Sequence, residues 1–174
     1  MEENVKTTDA IVDVGCGSGV LVMRLHDAGF TNLVGVDYSS KAVELANSIK
    51  QQNSASDIRF ETCDILADTL QLRPSDGTRF RVVIDKGTYD AICLSPDADI
   101  GELREKYIKS VSSLLADDGH FILTSCNWTK DELLGHFTKN SAFWYESELL
   151  TKSIQFGGVR GQNITCLIFK RGAQ

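Results

Sequence analysis

Residues 10–19, Ala-Ile-Val-Asp-Val-Gly-Cys-Gly-Ser-Gly, run an apolar strand straight into glycines at alternate positions, Gly15, Gly17 and Gly19. Lacking a Cβ, such residues let the chain turn sharply and let a ligand come close to the main chain. A small molecule is therefore expected to lie over this loop. The spacing is Gly-x-Gly-x-Gly rather than the Gly-x-Gly-x-x-Gly of dinucleotide enzymes, a difference that separates two large classes of cofactor.

The rest of the chain alternates regularly. Short apolar runs at 10–14, 33–37, 58–63, 80–85 and 121–126 read as buried strands, and helical patterns lie between them. Five strands separated by helices imply a parallel sheet, an α/β fold. The first helix is expected from Gly19 to about Ala28, with Val20, Leu21 and Leu25 inward and Gly29 ending it. The second starts after Ser39 or Ser40, with Ala42, Leu45, Ala46 and Ile49 on one face. A turn at 74–77, Pro-Ser-Asp-Gly, precedes the fourth strand. A long helix spans about 100–116 with Leu103, Tyr107, Val111, Leu114 and Leu115 as its stripe, and Asp118-Gly119 ends it. Thr129 and Glu132 form a capping box that opens a further helix. From Phe143 the chain turns extended: 143–156, a turn containing Gly157, Gly158 and Gly161, then 164–170. The expectation is a C-terminal antiparallel hairpin closing a mostly parallel sheet.

At 174 residues and 42% hydrophobic, the chain can bury one core, so a single domain over 1–174 is expected. Its net charge of −6 argues against a nucleic-acid partner held by phosphate neutralisation. No signal peptide or membrane-length apolar run is present, so no membrane association is expected, and the expected compartment is the cytoplasm, with the nucleus open. The five cysteines never form Cys-x-x-Cys and read as reduced thiols, and the three histidines share no ligand spacing, so no metal is assigned.

In an open α/β sheet the ligand lies outside the carboxyl ends of the strands. Asp13, two residues before Gly15, either meets a cationic ligand group or only bonds local amides. Asp37 ends the second strand one βα unit after the loop, where an acid can accept from both hydroxyls of a ribose, the competing role being helix entry. Tyr38 would pack against the nucleoside. Asp64 either accepts from an exocyclic amine, with Ile65 lining the base, or caps the next segment. Asp85, at the end of the fourth strand beside Lys86-Gly87-Thr88-Tyr89, either faces the reactive end of the ligand or pairs with Lys86 on the surface. Trp128, after the fifth strand beside Asn127, either walls a substrate channel or is simply half-buried.

These motifs, in order, resemble the class I S-adenosylmethionine-dependent methyltransferases: Asp-Val-Gly-Cys-Gly-Ser-Gly at 13–19, Gly-Val-Asp-Tyr-Ser at 35–39 and Cys-Asp-Ile-Leu at 63–66. Within that class, Asp85-Lys86-Gly87-Thr88-Tyr89-Asp90-Ala91 and Thr124-Ser125-Cys126-Asn127-Trp128-Thr129 resemble the protein-lysine methyltransferases that modify elongation factor 1-alpha. The resemblance implies a Rossmann-like seven-stranded sheet with helices on both faces. It implies S-adenosylmethionine held by Asp13, Gly15, Cys16, Gly17, Gly19, Asp37, Tyr38, Asp64, Ile65 and Asp85. The acceptor would be met by Lys86, Gly87, Thr88, Tyr89, Asn127 and Trp128. No Asn-Pro-Pro-Tyr or Asp-Pro-Pro-Tyr occurs, which gives no support to methylation of nucleic-acid bases. Only about nine residues precede the first strand, so most of the family's N-terminal lid segment is expected to be absent.

The implied reaction moves a methyl group from a sulfonium to a lysine amine, which must first lose its proton. Asp85 is the expected catalytic carboxylate, and Tyr89 and Trp128 the expected aromatic wall. A monomeric enzyme acting on elongation factor 1-alpha is the leading expectation. A small-molecule methyltransferase and a non-catalytic cofactor-binding module are the alternatives.

Overall fold

The computed structural model describes residues 5–67, 72–95, 99–139, 142–149, 154–156, 159–161 and 164–171. Seven strands form one sheet: β1 (Ile11–Val14), β2 (Leu33–Asp37), β3 (Arg59–Thr62), β4 (Phe80–Lys86), β5 (Leu115–Ser125), β6 (Phe143–Glu148) and, last in the chain, β9 (Thr165–Arg171). Their order is β3-β2-β1-β4-β5-β9-β6. The first five pair in parallel, and β9 runs antiparallel between β5 and β6. Between β6 and β9, β7 (Ile154–Phe156) and β8 (Val159–Gly161) form a separate two-stranded ribbon. The expected terminal hairpin is thus formed by β6 and β9, with a smaller hairpin inserted between them. Gly157 and Gly158 lie outside the described residues.

Side chains alternate between two cores, one on each face of the sheet. Ile11 and Leu33 join Val22 and Met23 of α1 (Val20–Asp27) and Val43 and Ala46 of α2 (Ser40–Gln52). Val12, Val14, Val34 and Val36 face the other way. There they meet α3 (Thr88–Cys93), α4 (Ile100–Leu114) and α5 (Lys130–Phe137) through Tyr89, Tyr107, Val111, Leu133 and Phe137. Fully burying one such side chain contributes roughly 1.5–3 kcal/mol.

The local signals hold at several ends. Ser39 accepts the Ala42 amide at the start of α2, and Thr129 and Glu132 complete the capping box of α5. Gly77 closes the 74–77 turn onto Pro74 at 3.0 Å.

Other expectations shift. On α1, Leu25 packs partly buried against the core as expected, but Val22 and Met23 are the buried residues and Val20 is exposed. On α2, Leu45 is exposed and Val43 takes its place inside. The long helix ends at Leu114 rather than near 116, and β5 starts at Leu115 rather than 121. Pairing passes from Phe80↔Leu115 to Val82↔His120, so β5 bulges over the intervening residues. Acids in that bulge are satisfied by cations: Asp117 meets Arg171 at 2.6 Å and Asp118 meets Arg81 at 2.5 Å. Asp118-Gly119 therefore lies within an irregular strand rather than ending a helix.

Candidate functional site

The glycine loop turns back on the end of β2. Gly15 and Cys16 both donate their amides to the Val36 carbonyl at 2.8 Å. Gly15, Gly17 and Gly19 have φ of 72°, 53° and 76°, a region that favours glycine. Two of them differ in what surrounds them. A Cβ on Gly15 would stand 1.8 Å from Thr88 Oγ1, which donates to the Val14 carbonyl at 2.7 Å. At Gly17 a Cβ would meet nothing within 4 Å, so the loop is packed from below and open above.

Asp37 ties this loop to the next helix. Buried at 8% exposure, it accepts the Gly17 amide on Oδ2 and the Ser39 amide on Oδ1, both at 2.9 Å. Asp37 thus fills the helix-entry role while it also holds the glycine loop. Cys16 is buried beside Gly35, and burial pushes its thiol up to about 12, so it stays protonated.

Two cavities meet at Gly15, which lines both. The first, about 380 Å³, is bounded by Tyr38, Asp64, Ile65, Thr88, Ile92 and Leu103, among others. It is of the size small-molecule sites take. Asp64 is exposed there and accepts the Leu66 amide at 2.9 Å, so it both lines the cavity and caps a turn. Tyr38 is 81% exposed at its edge.

The second cavity, about 500 Å³, lies on the α1 side and is lined by Asp13, the loop from Gly15 to Ser18, Val20, Leu21, Arg24 and Lys86. Asp13 is 4% exposed and accepts no hydrogen bond among the described residues. Burial, with Asp85 nearby, raises its carboxyl to about 7. A buried carboxylate without a donor is costly unless a cation meets it.

Asp85 is not where an acid facing the reacting group would be. It is fully buried and lines neither cavity. Its oxygens accept the Thr88 amide at 2.8 Å, the Tyr89 amide at 2.9 Å and the Tyr107 hydroxyl. It closes the first turn of α3, whose preceding residue Gly87 is left-handed at φ 87°. Burial lifts its carboxyl to about 6 against these three hydrogen bonds, which favour the charged form.

The reason is strand parity. The bulge places Val83, like Phe80, on the α3 and α4 side of the sheet, so Asp85 points there too. Lys86, in phase with Val82, instead reaches the α1 side and lines the cavity with Asp13.

Tyr89 also departs from the expected wall. It is fully buried, with Phe137 at 4.9 Å and Tyr107 at 5.2 Å between ring centroids, and its hydroxyl bonds His136 Nδ1 at 2.9 Å. Burial pushes that phenol well above its ordinary value. Trp128 is half-buried, edge-on to His136 at 4.9 Å, with the Arg104 guanidinium 6.0 Å from its ring. Asn127 and Lys86 are exposed, and Gly87 donates to the Thr124 carbonyl at 3.0 Å.

Sequence reading missed the residue that joins these segments. Asp90 accepts Ser125 Oγ at 2.6 Å and the Cys126 amide at 2.8 Å, and Ser125 Oγ accepts the Asn127 and Trp128 amides at 3.1 and 3.0 Å. It also missed Arg24, and Ile92 and Leu103 in the first cavity. The six residues of α3 are too few to show a helical period, and the only signal was a strand-end acid followed by Gly87-Thr88.

A family described as "Methyltransferase domain" matches residues 6–167. EEF1A lysine methyltransferase 2 of Homo sapiens is 41% identical over 93% of this chain and 65% of its own length. Protein-lysine N-methyltransferase EFM4 of Saccharomyces cerevisiae is 36% identical over 92% of this chain and 69% of its own. The chain thus spans about two thirds of the length of these curated relatives. Among solved structures, an S-adenosylmethionine-dependent methyltransferase from Clostridium acetobutylicum superposes with a TM-score of 0.73 at 15% identity, covering 95% of this chain and 85% of that one. The sheet order, the glycine loop on Asp37 and the match over residues 6–167 agree: the chain belongs to the methyltransferase-domain family.

Proposed function

We propose that this chain binds S-adenosylmethionine and transfers its methyl group to a lysine of elongation factor 1-alpha. The observation that carries the cofactor half is the pairing of a buried, donor-free Asp13 with the open upper face of Gly17 beside one cavity. A site of this kind suits a flexible ligand with a cationic end. The relatives named for lysine methylation carry the acceptor half.

The residues present fit the cofactor in two stretches. The first cavity would take the nucleoside, with Ile65 and Tyr38 among the residues lining it. Asp37, between the lining residues Val36 and Tyr38, would offer the ribose its remaining lone pairs while holding Gly17. The second would take the amino-acid end, with Asp13 accepting its ammonium. Bound there, S-adenosylmethionine supplies an electrophilic methyl group.

Little covalent chemistry then falls to the protein. Its work is to hold a neutral amine in line and keep water away. The acceptor would approach over Gly87 and Asn127, at the carboxyl ends of β4 and β5. Asp85 takes a different part from a base: fixed to α3 and Tyr107, it sets the position of the Gly87-Thr88 turn.

Incubation of the chain with labelled S-adenosylmethionine and purified elongation factor 1-alpha tests the reading. Methylated lysine in that protein, located by peptide mass spectrometry, is expected. Label found only in small molecules, or cofactor binding without transfer, would reject it.

A further inference from the structure

Arg104 and Trp128 bring two unpaired hydrogen-bond donors together beside the acceptor segment. Because α4 links the parallel strands β4 and β5, it runs against them and begins at their carboxyl ends. Arg104 stands in its second turn, one residue after Leu103 of the first cavity. Trp128 lies just beyond the carboxyl end of β5, and the Arg104 guanidinium approaches to 6.0 Å from its ring. Arg104 Nε and Trp128 Nε1 are both buried, and neither has a hydrogen-bond acceptor among the described residues. Buried N–H groups left without a partner are costly, so each such pair calls for an explanation.

The chain offers these donors no anion of its own. Arg104 makes no ion pair among the described residues. Acids of the adjoining elements are engaged elsewhere: Asp90 with Ser125 and Cys126, Glu132 with Thr129, and Glu102 with Lys106. His136 packs against the same indole, and burial together with the Arg104 charge holds its imidazole below the ordinary range. The neighbour is therefore neutral at pH 7. With a guanidinium already over the Trp128 ring, the spot repels a lysine ammonium and attracts an anion.

We propose that Arg104 and Trp128 together bind a carboxylate of the acceptor protein, an Asp or Glu side chain close in sequence to the lysine that is methylated. This rests on the proposed acceptor and adds what is read beside its lysine. A carboxylate suits the pair better than a main-chain carbonyl, because charge-assisted hydrogen bonds are roughly twice as strong as neutral ones. Asn127, over which the acceptor would approach, is the chain neighbour of Trp128. A side chain docked on Trp128 thus belongs to the residues flanking the target.

Steady-state methylation of purified elongation factor 1-alpha by the 174-residue chain, at saturating S-adenosylmethionine, tests this. Arg104→Gln is expected to raise KM for the acceptor about tenfold, with kcat and S-adenosylhomocysteine affinity each within about twofold of the parent. Trp128→Phe keeps an aromatic ring but removes the N–H, and its KM is expected to rise about threefold. It reads the same site should Arg104→Gln fail to fold. Each Asp or Glu within about five residues of the methylated lysine is then changed to Asn or Gln, a reach set by the span of an extended chain. At one of these positions the acceptor variant should lose as much as Arg104→Gln does, and combining the two should cost nothing further. An unchanged KM, a loss confined to kcat, or losses that multiply at every acidic position would overturn the inference while leaving the methyltransferase reading standing. A parent chain that transfers no methyl group to elongation factor 1-alpha would overturn both.

Discussion

Asp85 receives the Tyr107 hydroxyl at a point where neither side chain touches solvent. This hydrogen bond lowers the Asp85 carboxyl, which burial has raised from 3.8 to about 6. Between those values the folded chain holds a proton that the unfolded chain has lost, so Asp85 makes stability fall as pH rises through that window. Tyr107→Phe removes the donor and leaves the carboxylate under-satisfied. It is expected to cost about 1–3 kcal/mol at pH 7 and to carry the fall in stability beyond pH 6. Urea denaturation across the pH range checks both, and an unchanged profile would mean the pair is not coupled.

Gly15 and Gly17 share a backbone conformation but not a neighbourhood, which separates stability from binding. Gly15→Ala must displace Thr88 Oγ1 and break its hydrogen bond to Val14, on top of about 1–2 kcal/mol for left-handed alanine. A marked fall in melting temperature is expected. Gly17→Ala meets no protein atom, so it should cost only the backbone term. Its new methyl group stands in the open space assigned to the ligand, and S-adenosylhomocysteine affinity should drop at least about tenfold. If Gly17→Ala bound as the parent does, the ligand would not lie over this loop.

Much of this was legible because it is local. The run from Ala10 to Ser39 carries its own instructions: an apolar strand, glycines where φ is positive, a strand-end acid and a Ser39 cap. The roles of Asp85 and Lys86 were not legible in the same way. Which of two adjacent side chains faces the helices and which faces the cavity depends on parity, and a bulge near Arg81 sets that parity through pairing with residues far along the chain. Tyr89 and Tyr107 lie eighteen positions apart and meet only once α3 and α4 pack together. No periodicity within either segment announces that contact.

Asp90 holds the segment after β5 through two acceptors, and an amide has only one to offer. Asp90→Asn turns an N–H toward the Cys126 amide or toward Ser125, so about 1–2 kcal/mol of stability should be lost. The segment carrying Asn127 and Trp128 then loosens, whereas the two cavities keep their walls. In a methylation assay the expected result is a raised KM for the protein acceptor with S-adenosylhomocysteine affinity unchanged. Equal damage to both would assign Asp90 to general stability alone.

Asp13 gives binding a pH dependence whose sign comes from burial. The groups acting on it are Asp85 and Asp37, which raise its carboxyl, and Lys86, which lowers it, with burial the largest influence and the result about 7. A ligand ammonium binds the ionised carboxylate. Affinity for S-adenosylhomocysteine should therefore fall as pH drops through about 7, by up to about tenfold per unit as the competing proton takes the site. In the ligand-free chain the same raised value makes Asp13 favour folding less as pH rises from 3.8 toward 7, so stability and affinity move in opposite directions there. Asp13→Asn should bind more weakly and show no such slope, and Lys86→Gln should move the midpoint upward by removing the cation that favours ionisation. Titrations from about pH 5 to pH 9 read all three. A slope that survives in Asp13→Asn would assign the titration to another group and leave this carboxylate outside the binding step.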